Sequence, residues 1–369
     1  MIKKDEFYMQ KALELAALGT GHTSPNPMVG CVIVKSGRII SGGWHKKAGM
    51  PHAEAEALLK AGKKARGADL YVNLEPCCHT NKRTPPCTDA IIKSGIRKVI
   101  SAMVDPNPDV NSRGFSILES AGIKTVTGVL NKEAAYLNRF FVKNVSKKKP
   151  YIIMKAGMSL DGKIALSNGA SQWITGPESR ENDQSLRREC DAIAVGIGTV
   201  LKDNPFLDCR IDMAKKIKKI IFDSRGRLPE KSNIFKHSKP EDIFLFTTSL
   251  ARNKIKPLIK RGVNVIIQES SGVIDLAGAC REIYRRGICS MLVEGGSSLH
   301  TSFLREKLYD EGWLYIAPVF IGSDGLPVFG RLGLGKLADA VNIKHHETRR
   351  LGDDVLIKGE ISYVQRYSL

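Results

Sequence analysis

From Val29 onward, short apolar runs take turns with amphipathic ones, and this alternation constrains the chain more than any other feature. An apolar run, "VGCVIVK" (29–35), leads through Ser36-Gly37 to a second, "RIISGGW" (38–44). A helix is predicted from Ala53 to Ala61. Strand and helix patterns then alternate through "DLYVNLE", "CTDAIIKSG", "RKVISAMV", "GFSILESAG" and "KTVTGV", with a last helix from Lys132 to Val145. Pro85-Pro86 before one helix and Gly95 after it are helix punctuation. The pattern implies βαβ units, a mostly parallel sheet with helices on both faces.

The alternation stops at "SKKKP" (146–150), which is charged, lacks apolar residues and ends in proline. A chain of 369 residues also exceeds one ordinary core. The domains are therefore placed at 1–146 and 150–369, both α/β. In the second, strands are predicted at "YIIMKAGM", "DAIAVGI", "KKIIFDS", "IFLFTT", "VNVIIQE", "SMLVEGG" and "LYIAPVFIG". Helices are predicted at Pro177 to Glu189, Leu276 to Arg286 and Leu299 to Glu306.

The formal net charge is +19, but the lysines are scattered in pairs and no arginine–aromatic interleaving occurs. No nucleic-acid partner is expected. No segment is long enough to span a bilayer, and Asp5, Glu6 and Glu14 interrupt the apolar N-terminal run, so no membrane and a cytoplasmic location are expected. Of eight cysteines, Cys31, Cys190, Cys209, Cys280 and Cys289 stand alone in or near apolar segments and read as small buried hydrophobes. Only Cys77, Cys78 and Cys87 cluster.

That cluster combines with "MPHAEAEALL". Side chains two apart on a helix point about 200° from each other, so His52 and Glu54 share a site only where a helix begins. One histidine and two cysteines suit Zn²⁺ with a position left open for water, which means catalysis. Glu54, acidic and not a ligand, would move protons to and from that water. Zinc nucleobase deaminases use this arrangement, with the pattern H-x-E…P-C-x-x-C. Here nine residues separate Cys77 from Cys87, and Cys78 and His79 are alternative ligands.

The motifs "NPMVGCVIV" (26–34), "GWHKKAGMPHAE" (43–54), "EPCCHTNKRTPPC" (75–87) and "DPNP" (105–108) resemble the bifunctional deaminase–reductase family of riboflavin biosynthesis. So do "MKAGMSLDGKIAL" (154–166), "SQWITG" (171–176), "GIGTVLKDNPFLDCR" (196–210), "FDSRGRLP" (222–229) and "VEGGSSL" (293–299). The resemblance implies an N-terminal cytidine-deaminase-like three-layer α/β/α domain and a C-terminal dihydrofolate-reductase-like α/β domain. It implies zinc, NADPH, a phosphorylated pyrimidine substrate and a homo-oligomer.

Carried over residue by residue, it makes His52, Cys77 and Cys87 the zinc ligands, Cys77 following Glu75-Pro76 as the family ligand does. Asn26, His45, His79 and Arg83 would hold the substrate of the first reaction. Gly157, Trp173, Thr199, Asp203, Ser224 and the turn Gly296, Ser297, Ser298, Leu299, His300, Thr301 and Ser302 would contact NADPH. Ser171, Arg187, Leu207, Arg210 and Glu294 would contact the sugar phosphate, and Lys155 would transfer a proton in reduction. A rival is a tRNA adenosine deaminase fused to an RNA-binding domain. The basic charge suits it, but the short zinc loop of those enzymes and stacking aromatics are missing.

Overall fold

The computed structural model describes residues 4–78, 85–108, 110–270 and 272–363. The chain divides into two compact units, Met1–Lys148 and Lys149–Leu369. Among the described residues, no helix is long and apolar enough to cross a membrane.

The first unit runs α1 (Lys4–Ala17), β1 (Gly30–Lys35), β2 (Arg38–Trp44), α2 (Ala53–Ala61), β3 (Asp69–Val72), α3 (Cys87–Ser94), β4 (Lys98–Ser101), α4 (Arg113–Ser120), β5 (Lys124–Thr127), α5 (Asn131–Leu137) and α6 (Arg139–Lys147). Its sheet has the order β2-β1-β3-β4-β5. Only β3, β4 and β5 pair in parallel; β1 is antiparallel to both β2 and β3. The expectation of a mostly parallel sheet is thus met in one half alone. Ser36-Gly37 closes a tight hairpin, and a hairpin forces its strands antiparallel.

Strand alternation sorts the core into two layers. Cys31 and Ile33 of β1 face Ala53 and Ala57 of α2 and Ile91 of α3. Val32 and Val34 face Met9 and Leu13 of α1 and Ala134 of α5. This is the three-layer α/β/α arrangement.

The helix predicted over Lys132–Val145 is broken at Asn138. The Asn138 side chain accepts from the Met28 N–H (2.7 Å) and donates to the Met28 carbonyl (3.0 Å). Asn73 donates to the same carbonyl and accepts from the Gly30 N–H. Two buried amides therefore hold the segment that carries Asn26.

The second unit contains β6 (Tyr151–Ser159), β7 (Lys163–Leu166), α7 (Pro177–Glu189), β8 (Ala192–Gly196), α8 (Ile197–Asp203), β9 (Lys218–Phe222), β10 (Ile243–Thr248), α9 (Lys256–Arg261), β11 (Asn264–Gln268) and α10 (Leu276–Arg285). It continues through β12 (Ser290–Val293), α11 (Ser297–Arg305), β13 (Glu311–Ala317), β14 (Gly325–Pro327), β15 (Asn342–Leu351) and β16 (Asp354–Ser362). The main sheet has the order β11-β10-β9-β8-β12-β6-β13-β16-β15. It is parallel from β11 to β13, and β16 and β15 add an antiparallel edge.

After β8 the chain moves outward to β9, whereas after β12 it returns on the other side through β13. Loops leaving neighbouring strands in opposite directions open a crevice at their carboxyl ends. That crevice is the site of the second unit.

Candidate active sites

In the first unit, α2 begins at Ala53 with His52 as its N-cap residue, and α3 begins at Cys87 after Pro86. Proline lacks an N–H and suits a helix entry. The His52 ring and the Cys77 and Cys87 sulfurs offer ligand atoms that all lie within 4.8 Å of one another. His52 Nδ1 is 3.4 Å from Cys77 Sγ and 3.2 Å from Cys87 Sγ. Cys77 is not itself at a helix start. It lies in the irregular segment after β3, where its sulfur accepts the Cys87 N–H (3.4 Å) at the first turn of α3. Cys78 is not part of this trio. A soft-to-borderline N,S,S donor set of this kind fits zinc.

Glu54 is 3% exposed on the first turn of α2. Its carboxyl meets the Cys87 side chain, and burial, then the nearby Cys77, push it above the ordinary carboxylate range. Oε2 has no hydrogen-bond partner among the described residues. Such an orphaned buried oxygen is costly unless something bound completes it.

His45 is buried with both ring nitrogens engaged. Nδ1 is 3.1 Å from the Pro51 carbonyl, which can only accept, so this nitrogen carries the proton. Burial lowers the pKa of the ring and favours the neutral form. Nε2 is then an acceptor for Asn26 Nδ2 at 3.1 Å. His45 therefore orients Asn26 instead of presenting a free nitrogen to a ligand. His79 and Arg83 lie outside the described residues.

Sequence reasoning did not single out Glu75. Its buried carboxylate accepts the N–H groups of Asp105 (3.1 Å), Ser112 (2.9 Å) and Gly114 (2.9 Å). A Cβ on Gly114 would sit 2.3 Å from the Pro76 carbonyl oxygen, so this loop can close behind Cys77 only with glycine there. Glu75→Ala strands three donors. It is expected to destabilise the first unit by about 3 kcal/mol, read from urea unfolding.

In the second unit, the crevice is an open cleft of about 1460 Å³. Ser171 and Trp173 reach it from the loop before α7, Arg187 from α7, and Leu207 and Arg210 from the segment after α8. Gly157, Thr199, Asp203, Ser224 and Glu294 also line it. Gly296 caps α11 with no side-chain partner, and nothing lies within 4 Å of where its Cβ would be. Free N–H groups facing open space at a helix start form a cradle for a phosphate. Gly296, Ser297, Ser298, Leu299 and Ser302 line the cleft, and this lining fits the phosphates of NADPH.

His300 and Thr301 do not line it. Helical periodicity turns them away from their neighbours and into the core. Thr301 donates to the Ser297 carbonyl and accepts from the Gly330 N–H. His300, 1% exposed, bonds to the Tyr309 hydroxyl through Nδ1 (2.8 Å). Burial and then the Lys155 charge lower its pKa to about 4. A lowered folded pKa means stability that is full above about 6.5 and lost as pH falls toward 4. The urea midpoint of the second unit is expected to drop between pH 7 and pH 5, and less steeply in His300→Gln.

The cleft's polar floor is a chain of buried charges. Arg187 forms a two-point pair with Glu294 (2.7 and 2.8 Å) and donates through Nη1 to the Asp208 carbonyl (2.9 Å). Arg187 Nε also lies 3.3 Å from Asp183 Oδ2, and Lys155 Nζ lies 3.5 Å from Asp183 Oδ1. Although burial opposes it, Arg187 holds Glu294 below the usual carboxylate range. Sequence reasoning missed Asp183, and it missed Lys219. The fully buried Lys219 ammonium pairs with Asp208 (2.8 Å) and donates to the Phe206 and Ile234 carbonyls. Between Phe206 and Asp208, Leu207 adopts a left-handed backbone (φ 57°). A bulky residue reaches that region only when its surroundings fix it, and here Lys219 and Arg187 grip the flanking carbonyls.

Comparison with known proteins identifies both units. Residues 150–357 match the RibD C-terminal domain, and residues 2–103 match the cytidine and deoxycytidylate deaminase zinc-binding region. The first match spans nearly all of the second unit, where the tRNA-deaminase rival requires an RNA-binding domain, and so removes that rival. The riboflavin biosynthesis protein RibD of Aquifex aeolicus is 41% identical over 96% of this chain and 97% of its own. That of Escherichia coli is 40% identical over 96% and 98%. The solved structure of Acinetobacter baumannii RibD superposes with a TM-score of 0.88 at 36% identity, covering 98% of this chain and 100% of that one. A Thermotoga maritima diaminohydroxyphosphoribosylaminopyrimidine deaminase/5-amino-6-(5-phosphoribosylamino)uracil reductase superposes at 0.83 with 36% identity, covering 97% and 99%. The chain belongs to the RibD family and is a bifunctional deaminase and reductase of riboflavin biosynthesis, dependent on zinc for the first activity and on NADPH for the second.

Proposed function

We propose that the two units divide the work: Met1–Lys148 deaminates a phosphorylated diaminopyrimidine, and Lys149–Leu369 reduces its ribosyl group to ribityl. The name of the Thermotoga relative joins a diaminohydroxyphosphoribosylaminopyrimidine deaminase to a 5-amino-6-(5-phosphoribosylamino)uracil reductase, which supports this reading. The observation that carries the first assignment is the trio His52, Cys77 and Cys87 beside the buried, unsatisfied Glu54. Zinc held by that trio supplies the Lewis acidity that makes water nucleophilic near neutral pH. Glu54 takes a proton from the attacking water and delivers it to the departing amino group. Asn26, oriented by His45, holds the pyrimidine edge.

In the second unit, NADPH supplies the hydride. The N–H groups of Gly296 to Ser298 hold its phosphates, and Thr199, Ser224 and Trp173 bound the rest of its site. Glu294, fixed by Arg187, engages the sugar hydroxyls, and Arg210 the phosphate by charge. Lys155 donates a proton to the ribosyl ring oxygen as the C1–O bond opens. Separate assays test the division of work. Ammonia release is expected without NADPH, and NADPH oxidation is expected only with the deaminated pyrimidine. Oxidation with the undeaminated substrate at equal rate would contradict it.

A further inference from the structure

Asp183 is a buried acid on the floor of the reductase cleft, and neither reaction has yet given it a part. It projects from α7 toward Lys155 on β6 and toward Arg187 one helical turn away. Arg187 does not need it, because Glu294 and the Asp208 carbonyl already occupy the guanidinium. Lys155 is in a different position. Among the described residues its only ion pair is with Asp183, and its ammonium otherwise lies 5.6 Å from the centre of the Tyr315 ring. Tyr315 in turn donates to the side chain of Asn182 (2.9 Å), which fixes the turn of α7 that carries Asp183.

We propose that Asp183 is a positioning residue for the reduction, holding the Lys155 ammonium in the direction from which it gives up its proton. This rests on the reading of Lys155 as proton donor. A flexible four-carbon stem ending in a strongly hydrated ammonium has no preferred direction of its own, and a fixed carboxylate supplies one. Burial, then the Glu294 charge, push the Asp183 carboxyl above its ordinary range. Lys155 and Arg187 act against that shift. Asp183 Oδ1 has no hydrogen-bond partner among the described residues, so its 3.5 Å contact with the Lys155 ammonium is an ion pair alone. The groups facing it are Lys155 of β6, Arg187 of α7 itself, Glu294 just after β12 and Tyr315 of β13.

The test is Asp183→Asn in the full chain, which keeps the shape and removes the charge. The kcat of reduction is expected to fall about tenfold or more, with both KM values and the NADPH Kd within about threefold of native. Deamination, measured on the same sample, should be unchanged. An unchanged kcat overturns the inference. A fall in kcat accompanied by an equal rise in KM or Kd also overturns it, because that marks a general loss of cleft structure. Asp183→Ser repeats the measurement if Asp183→Asn fails to fold. Lys155→Met is run alongside. If Lys155→Met keeps full kcat, the proton-donor reading itself fails. If it loses kcat while Asp183→Asn keeps it, only the positioning role of Asp183 fails.

Discussion

Glu54→Gln is expected to lower deamination about a thousandfold while leaving NADPH-dependent reduction untouched. The substitution keeps volume and hydrogen-bonding capacity but can no longer accept a proton from water. Glu54 is buried with its Oε2 unpartnered among the described residues, which leaves that oxygen available to take a proton from water. His45 is nearby, with its ring centroid 5.6 Å from that of His52, but its nitrogens are committed to Pro51 and Asn26. Zinc content should stay native, because Glu54 is not one of the trio. Loss of metal together with activity would assign Glu54 to the metal shell instead. The checks are ammonia release under saturating substrate and metal analysis of the same sample.

The second large effect is expected for Lys155→Met. Methionine fills much of the same space but carries no charge. Reduction should fall by about two to four orders of magnitude, the usual range for a lost proton donor. NADPH binding should change little, because the phosphate cradle proposed at Gly296 would be formed by backbone at the start of α11, although Lys155 lines the same cleft. Deamination, which is assigned above to the other compact unit, is the internal control. A rise in the NADPH Kd that accounts for the whole loss would make Lys155 a cofactor anchor without a chemical part.

The parts of these sites that are legible in the sequence are the local ones. Pro51-His52 before an alanine-rich run marks the start of α2, and Pro85-Pro86-Cys87 marks the start of α3, so both ligand-bearing helix ends can be read directly. The Gly295-Gly296 turn is legible for the same reason, since glycine before a helix needs no tertiary partner. Polar residues that act through folding are not. The α7 sequence "PESRENDQSLRRE" is polar nearly throughout, and nothing in it says that Asp183 turns inward while Glu181 stays exposed. Lys219 looks like one of a lysine pair on a strand, yet it is the one that is buried.

Asn138 breaks a predicted helix because its amide is taken by Met28, more than a hundred residues away in sequence. The hairpin of β15 and β16 escapes prediction since "NIKHHETRRL" lacks the apolar alternation by which strands are recognised. His300 and Thr301 belong to a motif that is continuous in sequence but not in space. A helix presents only part of any run to one side.

Zinc stoichiometry in single-cysteine variants asks which side chains hold the metal without relying on turnover. The native chain and Cys78→Ser are expected to bind one zinc per chain, and Cys77→Ser and Cys87→Ser to lose it, because the cluster comprises His52, Cys77 and Cys87 only. Retention of zinc by Cys77→Ser together with its loss from Cys78→Ser would overturn the ligand assignment on which the deaminase site is built.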